Sequence, residues 1–217
     1  MSRNNILITL GSIASIFVFL WIVYAASNSS TPQSSQIFKA SSTVLPTDHV
    51  KWNTKAKKVL IEYSDLQCPA CQSFHTILKQ IEASGSAQQN IVKSTAFVYR
   101  NYPLTTIHKN AQIAALAAEA ASKQGKVFEF HDILFTNQAD LSKLSDPMPK
   151  FREYVRKLEL DEAKFDEDVK SAEVKKKVAD DVALGNQSQV NSTPSFFLNG
   201  KKLEFGSFDE FVKLLAQ

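Results

Sequence analysis

The longest uncharged stretch of the chain lies near its N-terminus. Residues 6–26 are mostly apolar and carry no charged side chain, and they match the roughly 20 residues that a helix needs to cross a bilayer. Arg3 precedes this stretch, and no Lys or Arg follows it until Lys39. The positive-inside rule therefore predicts a cytoplasmic tail over 1–5, a transmembrane anchor over 6–26 and an extracytoplasmic remainder. A cleaved signal peptide is the alternative, although its apolar core usually has only about 7 to 15 residues.

The segment after the anchor is polar. Its first part, SNSSTPQSSQ, has no apolar periodicity, which is typical of a flexible tether. We therefore predict an extracytoplasmic linker over 27–50 and a folded part over 51–217.

Beyond the linker, strand-like and helix-like patterns alternate. The apolar run Lys57–Tyr63 predicts a buried strand. A helix is predicted next, because apolar positions recur there at spacings of three and four: Cys71, Phe74, Leu78 and Ile81. The run Ile91–Arg100, which includes Thr95, Phe97 and Val98, predicts a second strand.

Residues 107–189 have an almost wholly helical pattern. The predicted helices cover 111–121, 127–135, 151–158, 162–169 and 174–184. Strand signals return at Ser195–Leu198 and at Lys202–Phe205, and Asn199-Gly200 between them is a strong hairpin signal. A final amphipathic helix follows from Phe208. The predicted order of elements is therefore βαβ, a helical insertion and ββα.

Composition narrows the class of protein. The chain has 217 residues, of which 44% are hydrophobic and 22% charged, enough for a folded core. A net charge of +3 is too small to indicate a nucleic-acid partner, and two cysteines exclude a disulfide-dense scaffold. The candidate chemistry therefore lies in those two cysteines.

Cys68 and Cys71 form a C-x-x-C motif where the first predicted strand gives way to the first predicted helix. Unpaired backbone N–H groups and the helix dipole lower the pKa of a thiol at such a position. Cys68 would then be the accessible nucleophile, and Cys71, one turn inside the helix, would resolve the mixed disulfide. Pro69 suits the first helical turn because it has no N–H group.

Two other interpretations of the pair remain open. Cys68, Cys71 and His75 could supply three zinc ligands, but a structural zinc site usually has four. The pair could also be a static disulfide or two inert thiols, although a loop this short gives a disulfide little stabilising effect.

The segment Glu62–Cys71, EYSDLQCPAC, together with Thr193-Pro194 before the hairpin, resembles the DsbA-like thiol:disulfide oxidoreductases. The membrane-anchored, BdbD-like members of that family are the most similar in organisation. The resemblance implies an α/β, thioredoxin-like fold over 51–106 and 190–217, with an all-helical subdomain inserted at 107–189 and the transmembrane helix before it.

The resemblance also implies roles for individual residues. Pro194 matches the cis-proline that faces the cysteines and, with them, counts as catalytic. Glu62 matches a buried acid that exchanges protons with the resolving thiol. Thr193, Pro69 and Ala70 are expected to contact the substrate. Ala70 stands where better-known oxidases have a polar side chain, so Cys68 should be less acidic here than in the strongest of them.

The implied function is extracytoplasmic disulfide formation in secreted or surface proteins, without a prosthetic group or metal. The implied partners are reduced or unfolded secreted proteins and a membrane quinone reductase of the DsbB or VKOR type. A disulfide reductase or isomerase, or a weakly catalytic tethered binding module, is the alternative.

Overall fold

The computed structural model describes residues 16–24, 39–85 and 88–217. The chain divides after residue 36 into two units. In the first unit, residues 16–24 are helical and their largely apolar side chains are exposed. The remainder of the predicted anchor lies outside the described residues, as does the predicted tail over 1–5. Within the described ranges, no helix is both long enough and apolar enough to span a bilayer.

A five-stranded sheet forms the centre of the second unit. Its strands are β1 (His49–Trp52), β2 (Lys58–Ser64), β3 (Thr95–Asn101), β4 (Ser195–Leu198) and β5 (Lys201–Lys202), in the spatial order β1-β3-β2-β4-β5. The central pair β2 and β3 is parallel, and every other pair is antiparallel. The parallel pair requires a crossover, which is formed by α1 (Pro69–Ala83) and α2 (Gln89–Ser94). Both central strands are mainly buried, which explains their almost continuous apolar runs.

The predicted helical insertion is confirmed. It consists of α3 (Ala111–Ser122), α4 (Val127–Thr136), α5 (Gln138–Leu141), α6 (Met148–Lys157), α7 (Glu162–Lys170) and α8 (Ala172–Gln187). The small side chains of α3 are buried almost throughout, so neighbouring helices can approach its backbone closely. Phe130 of α4 is in ring contact with Phe151, Tyr154 and Phe165, which ties α4, α6 and α7 into one aromatic core.

The predicted closing hairpin is also confirmed. Asn199 and Gly200 both have positive φ, 49° and 83°, as a tight hairpin between β4 and β5 requires. The second strand is shorter than predicted, since β5 ends at Lys202. The last helix, α9 (Phe208–Ala216), begins after Ser207, whose side chain accepts a hydrogen bond from the Glu210 N–H.

Two segments differ from the sequence-based expectation. The strand predicted over Ile91–Arg100 begins only at Thr95, because its first residues belong to α2, where Ile91 is the buried residue. The sheet also gains β1, which crosses the predicted boundary between linker and folded part. Residues before β1 are held as well: Arg100, with no exposed surface, donates to the Asp48 carboxylate and to the Ala40 backbone oxygen.

Candidate active site

Cys68 occupies the N-cap position of α1, where the chain leaves β2. The Cys68 backbone N–H donates to Asp65 O at 3.0 Å, and Gln72 N donates to Cys68 O at 3.1 Å. Pro69 is the first helical residue, as predicted, and the Cys68 side chain makes no capping bond of its own. The sulfur therefore lies beside the free N–H groups at the helix start.

The loop before β4 packs against this sulfur. The Thr193–Pro194 peptide bond is cis, as the resemblance leads us to expect, and Thr193 O lies 3.3 Å from Cys68 Sγ, where it can accept the proton of the protonated thiol. The fold thus brings together residues 125 positions apart in the sequence. Cys68 is less accessible than predicted: only 7% of its surface is exposed, against none for Cys71, because Thr193 lies over it.

The two cysteines are not joined by a disulfide, and their different environments shift their pKa values in opposite directions. A hydrogen bond from the Cys71 thiol lowers the pKa of Cys68 to about 5, and the Thr193 hydroxyl and the Cys71 and Ala70 backbone N–H groups act in the same direction. Burial opposes this shift without reversing it.

Cys71 has the opposite character. Burial raises its pKa well above the usual range, and the hydrogen bond to Cys68 and the charge of Glu62 act in the same direction. The Asp65 N–H points at Cys71 Sγ from 3.5 Å. Cys71 is therefore a protonated thiol at neutral pH and needs a base before it can attack.

Glu62 lies on β2 with only 3% of its surface exposed. Burial raises the pKa of its carboxyl to about 7, and negative charge on Cys68 adds to the shift. A carboxyl with this pKa can both take up and release a proton near neutral pH. Its neighbour in register on β3 is Tyr99, which is also buried.

The remaining predicted site residues surround the thiolate. Pro69 and Ala70 are exposed beside it, and Thr193 is buried against Cys68. The predicted residues Cys68, Cys71, Pro69, Ala70, Thr193 and Pro194 thus lie together, and the charge of Glu62 acts on Cys71 from behind the helix.

Several residues that hold the site were not predicted. Asp65, whose side chain is fully buried, accepts from the backbone N–H groups of Gln67 and Leu104 and pairs with His108 at 2.7 Å. Gln138 of α5 donates to Leu66 O and Cys68 O, both at 3.0 Å, so the insertion supports the loop that carries the nucleophile. Asp65 lies inside the segment EYSDLQCPAC, but the pattern does not indicate its contacts, and no motif surrounds His108 or Gln138.

The zinc interpretation is not supported by the geometry. His75 pairs with Asp132 at 3.1 Å and stacks on Phe135, away from the cysteines. No group of three or more His, Cys, Asp or Glu side chains suited to a metal ion occurs in the part of the chain that the structure describes.

The sheet order, the C-x-x-C at a helix start and the facing cis-proline define a thioredoxin-like protein with a helical insertion. The thioredoxin family matches residues 44–217, and the chain belongs to that family. The matched range begins before β1, in agreement with the fold.

Two solved structures have a similar fold. BdbD from Bacillus subtilis, in its oxidised form, has a TM-score of 0.67 at 20% identity, covering 81% of this chain and 96% of that one. alpha-DsbA1 from Wolbachia pipientis has a TM-score of 0.66 at 22% identity, covering 79% of this chain and 90% of the other. Both likenesses confirm the expected α/β fold.

One relative that is similar in sequence is named as an antiporter. The Na(+)/H(+) antiporter NhaA 3 from Salinispora tropica is 34% identical over 155 residues, which is 71% of this chain and 22% of the antiporter. The chain therefore spans less than a quarter of the length of that relative.

Proposed function

We propose that this protein is an extracytoplasmic thiol:disulfide oxidoreductase that forms disulfides in secreted or surface proteins. The observation that carries the proposal is that the two thiols of one motif have opposite pKa shifts. Cys68, at a helix start and beside a cis-proline, has a lowered pKa, and the buried Cys71 has a raised one. Pro194, Thr193, Pro69 and Ala70 form the surface on which a client strand would lie.

The exchange begins from the oxidised pair. A client thiolate attacks Cys68 Sγ, the Cys68–Cys71 bond breaks, and the electron pair leaves on Cys71, which takes a proton from Glu62. A second client thiolate then attacks the client sulfur of the mixed disulfide. Cys68 leaves as a thiolate, and the client keeps the new disulfide. The two electrons remain on Cys68 and Cys71 until an electron acceptor removes them.

The low pKa of Cys68 favours the oxidising direction. A stable thiolate stabilises the reduced form relative to the disulfide, so the couple accepts electrons more readily. With a Cys68 pKa of about 5, we expect a potential between those of thioredoxin and DsbA, about −270 and −120 mV. A value near −270 mV would instead favour a reductase.

The client class follows from the surface beside the site. An apolar groove of about 450 Å³ is lined by Phe74, Phe205, Gly206, Ser207 and Phe208. Phe74 lies on α1, six residues after Cys68. Such a groove suits unfolded or partly folded chains, whose apolar side chains are exposed. A DsbB- or VKOR-type quinone reductase is the proposed acceptor of the electrons.

The proposed location rests on the N-terminal segment. The uncharged run 6–26, the preceding Arg3 and the exposed apolar helix over 16–24 support a single-pass anchor with the thioredoxin-like domain outside the cell. The antiporter relative shares only a domain-sized part with this chain. We take that part to be the thioredoxin-like domain, and we do not extend ion transport to this protein.

The experiment follows oxidation of a reduced client by the purified protein, with alkylation to trap intermediates. Cys68→Ser should abolish client oxidation and all mixed disulfides. Cys71→Ser should also lose oxidation of the reduced client, because it has no disulfide to donate. Offered a client that already contains a disulfide, its Cys68 should attack that bond and form a mixed disulfide that internal attack cannot release. Retention of client oxidation in Cys68→Ser would refute the proposal.

A further inference from the structure

The end of the sheet opposite the active site carries exposed lysine side chains. β2 begins at this end, and Cys68 follows the other end of the same strand. The exposed lysines come from the loop before β2, the end of α2 and the strand β5: Lys55, Lys57, Lys93, Lys201 and Lys202. We call these residues the basic end.

Hydrogen bonds hold the segments of the basic end together. Asn53 Nδ2, in the loop before β2, donates to Lys93 O of α2 at 2.7 Å. On the other side of β2, Val59 N donates to Asn199 Oδ1 at 2.9 Å, and Asn199 N donates to Val59 O at 2.8 Å. The hairpin turn that leads into β5 is therefore fixed beside the start of β2.

The positive charge of the basic end is not compensated nearby. No Asp or Glu occurs in the sequence ranges 53–59, 83–95 and 199–203. None of the ammonium groups of the basic end has an ion-pair or hydrogen-bond partner among the residues that the structure describes. Glu82, near the end of α1, already pairs with Lys51 at 2.7 Å. By contrast, Lys164 and Lys176 of the helical insertion are paired with carboxylates.

The chain that leads to the uncharged run 6–26 leaves the folded part close to the basic end. Ser41 Oγ donates to Gly200 O, in the hairpin turn, at 3.2 Å. Lys39, two positions earlier, is exposed and adds a further positive charge. Residues 27–38 separate it from the uncharged run, and a coil of that length spans about 20 Å. A membrane that holds the run 6–26 is therefore within reach of these lysines.

We propose that the basic end binds the anionic headgroups of lipids in that membrane. This inference rests on the proposed function, because it takes the single-pass anchor as given. Lysines close to an anionic lipid surface are attracted to it, and the attraction extends over about one Debye length, roughly 8 Å at physiological salt. Several unpaired lysines on one rigid end of the sheet can therefore act together.

The bound orientation has a consequence for the thiol chemistry. β2 has seven residues, so the basic end and the Cys68 loop are separated by about 20 Å along that strand. Lipid bound at the basic end therefore leaves Cys68 and the Thr193-Pro194 segment directed away from the membrane, where secreted clients can reach them.

The test uses the full-length protein in lipid nanodiscs and follows the acetylation of each lysine by acetic anhydride with mass spectrometry. The discs contain either phosphatidylcholine alone or about one-third phosphatidylglycerol, which is anionic. Lysines of the basic end should react about threefold more slowly in the anionic discs, and about 0.5 M salt should remove this difference. Lys157 and Lys170, which are exposed on the helical insertion, should react at the same rate in both kinds of disc.

A charge-reversed double variant, Lys201→Glu with Lys202→Glu, should restore fast acetylation of Lys57 and Lys93 in the anionic discs. Lys157→Glu with Lys170→Glu is the matched control, because it makes the same change in net charge away from the basic end, and it should retain the protection.

Three results would overturn the inference: equal acetylation of the basic end in the two kinds of disc, protection that survives high salt, and equal loss of protection in the control variant. Client oxidation does not enter this measurement, so these results would leave the proposed thiol chemistry standing. A protein that does not co-elute with phosphatidylcholine discs would contradict the proposed anchor. Failure to co-elute with either kind of disc would contradict both the anchor and the inference.

Discussion

Cys68 and Cys71 are identical side chains three positions apart, and the backbone makes them chemically different. Cys68 precedes the first turn of α1, where backbone N–H groups stabilise negative charge on its sulfur. Cys71 is within the first turn and fully buried. Each also affects the other, since the shared hydrogen bond lowers one pKa and raises its partner's. A proton placed on Cys71 therefore stabilises the negative charge on Cys68.

The acidity of Cys68 can be measured by its rate of alkylation. The rate should fall as the pH drops through about 5, because the thiolate is then protonated. In Cys71→Ala the midpoint should move to higher pH, since the largest stabilising hydrogen bond is lost. Cys71→Ser is the matched control. Its midpoint should shift less, because the serine hydroxyl can still donate a hydrogen bond to the Cys68 sulfur. An unchanged midpoint in Cys71→Ala would contradict this cause.

Glu62 should make the protein less stable as the pH rises. Its folded-state pKa of about 7 exceeds an unfolded value of about 4.3, so the folded state binds the extra proton between these values. The stability is fully present below about pH 4.3 and is lost as the pH rises through 7, by up to about 4 kcal/mol.

Chemical denaturation of the oxidised protein over this pH range provides the measurement, because the thiols do not titrate there. Burial, the largest cause of the raised Glu62 pKa, persists in that state, and the smaller contribution of the Cys68 charge is absent. Glu62→Gln should remove the decline, and Glu204→Gln, at an exposed position, should retain it. A Glu62→Gln protein with the parent's pH dependence would show that this carboxyl is not buried as described.

At the scale of elements, the helical insertion supports the site as well as enlarging the core. Gln72 on α1 donates to Phe135 O of α4 at 2.6 Å, and Gln138 reaches the Cys68 loop from α5. The start of α1 is thus fixed from two sides, by the sheet and by the insertion.

Packing of α8 against the end of β3 can be tested at Gly185. An added Cβ would lie 2.6 Å from two ring atoms of Tyr102, whose hydroxyl is 2.8 Å from both Asn186 Oδ1 and Val190 O. Alanine favours a helix by up to about 1 kcal/mol, but the clash should exceed this. We expect Gly185→Ala to destabilise the protein by about 1–3 kcal/mol in denaturant unfolding. Gly206→Ala is the control, because an added Cβ there would lie no nearer than 3.7 Å to another atom, and it should not destabilise the protein. Equal destabilisation in the two variants would contradict the clash at Gly185.

The elements that the sequence predicts well are those with a strong local pattern. The apolar run of β2, the periodicity of α1 and the Asn199-Gly200 turn each specify one structure. Local pattern was insufficient for β1, which is four residues long and pairs with β3 along the edge of the sheet. It also failed at Ile91, an apolar residue that suits both a strand and the short helix in which it lies.

At the scale of the whole molecule, the second unit holds its own N-terminal segment through a buried charge. Arg100 binds Asp48 at 2.8 Å and also donates to Thr43 O. A buried guanidinium needs such partners, because an unpaired one would be strongly destabilising. The sequence did not reveal this requirement, and the folded part was therefore predicted to begin later than it does.

The residues of the candidate site also fall into those that the sequence predicts and those that it does not. Cys68, Cys71 and the Thr193-Pro194 segment were predictable because motif and order along the chain identify them together. Gln138 and His108 were not, because each reaches the site from a distant part of the chain and only the folded structure brings it there.

The most direct test of the central claim is a redox titration of the full-length protein in glutathione buffers, with alkylation to count free thiols. We predict one reversible two-electron transition of Cys68 and Cys71, with a midpoint between about −270 and −120 mV. A pair that does not titrate, or a midpoint at or below about −270 mV, would contradict an oxidising exchange couple.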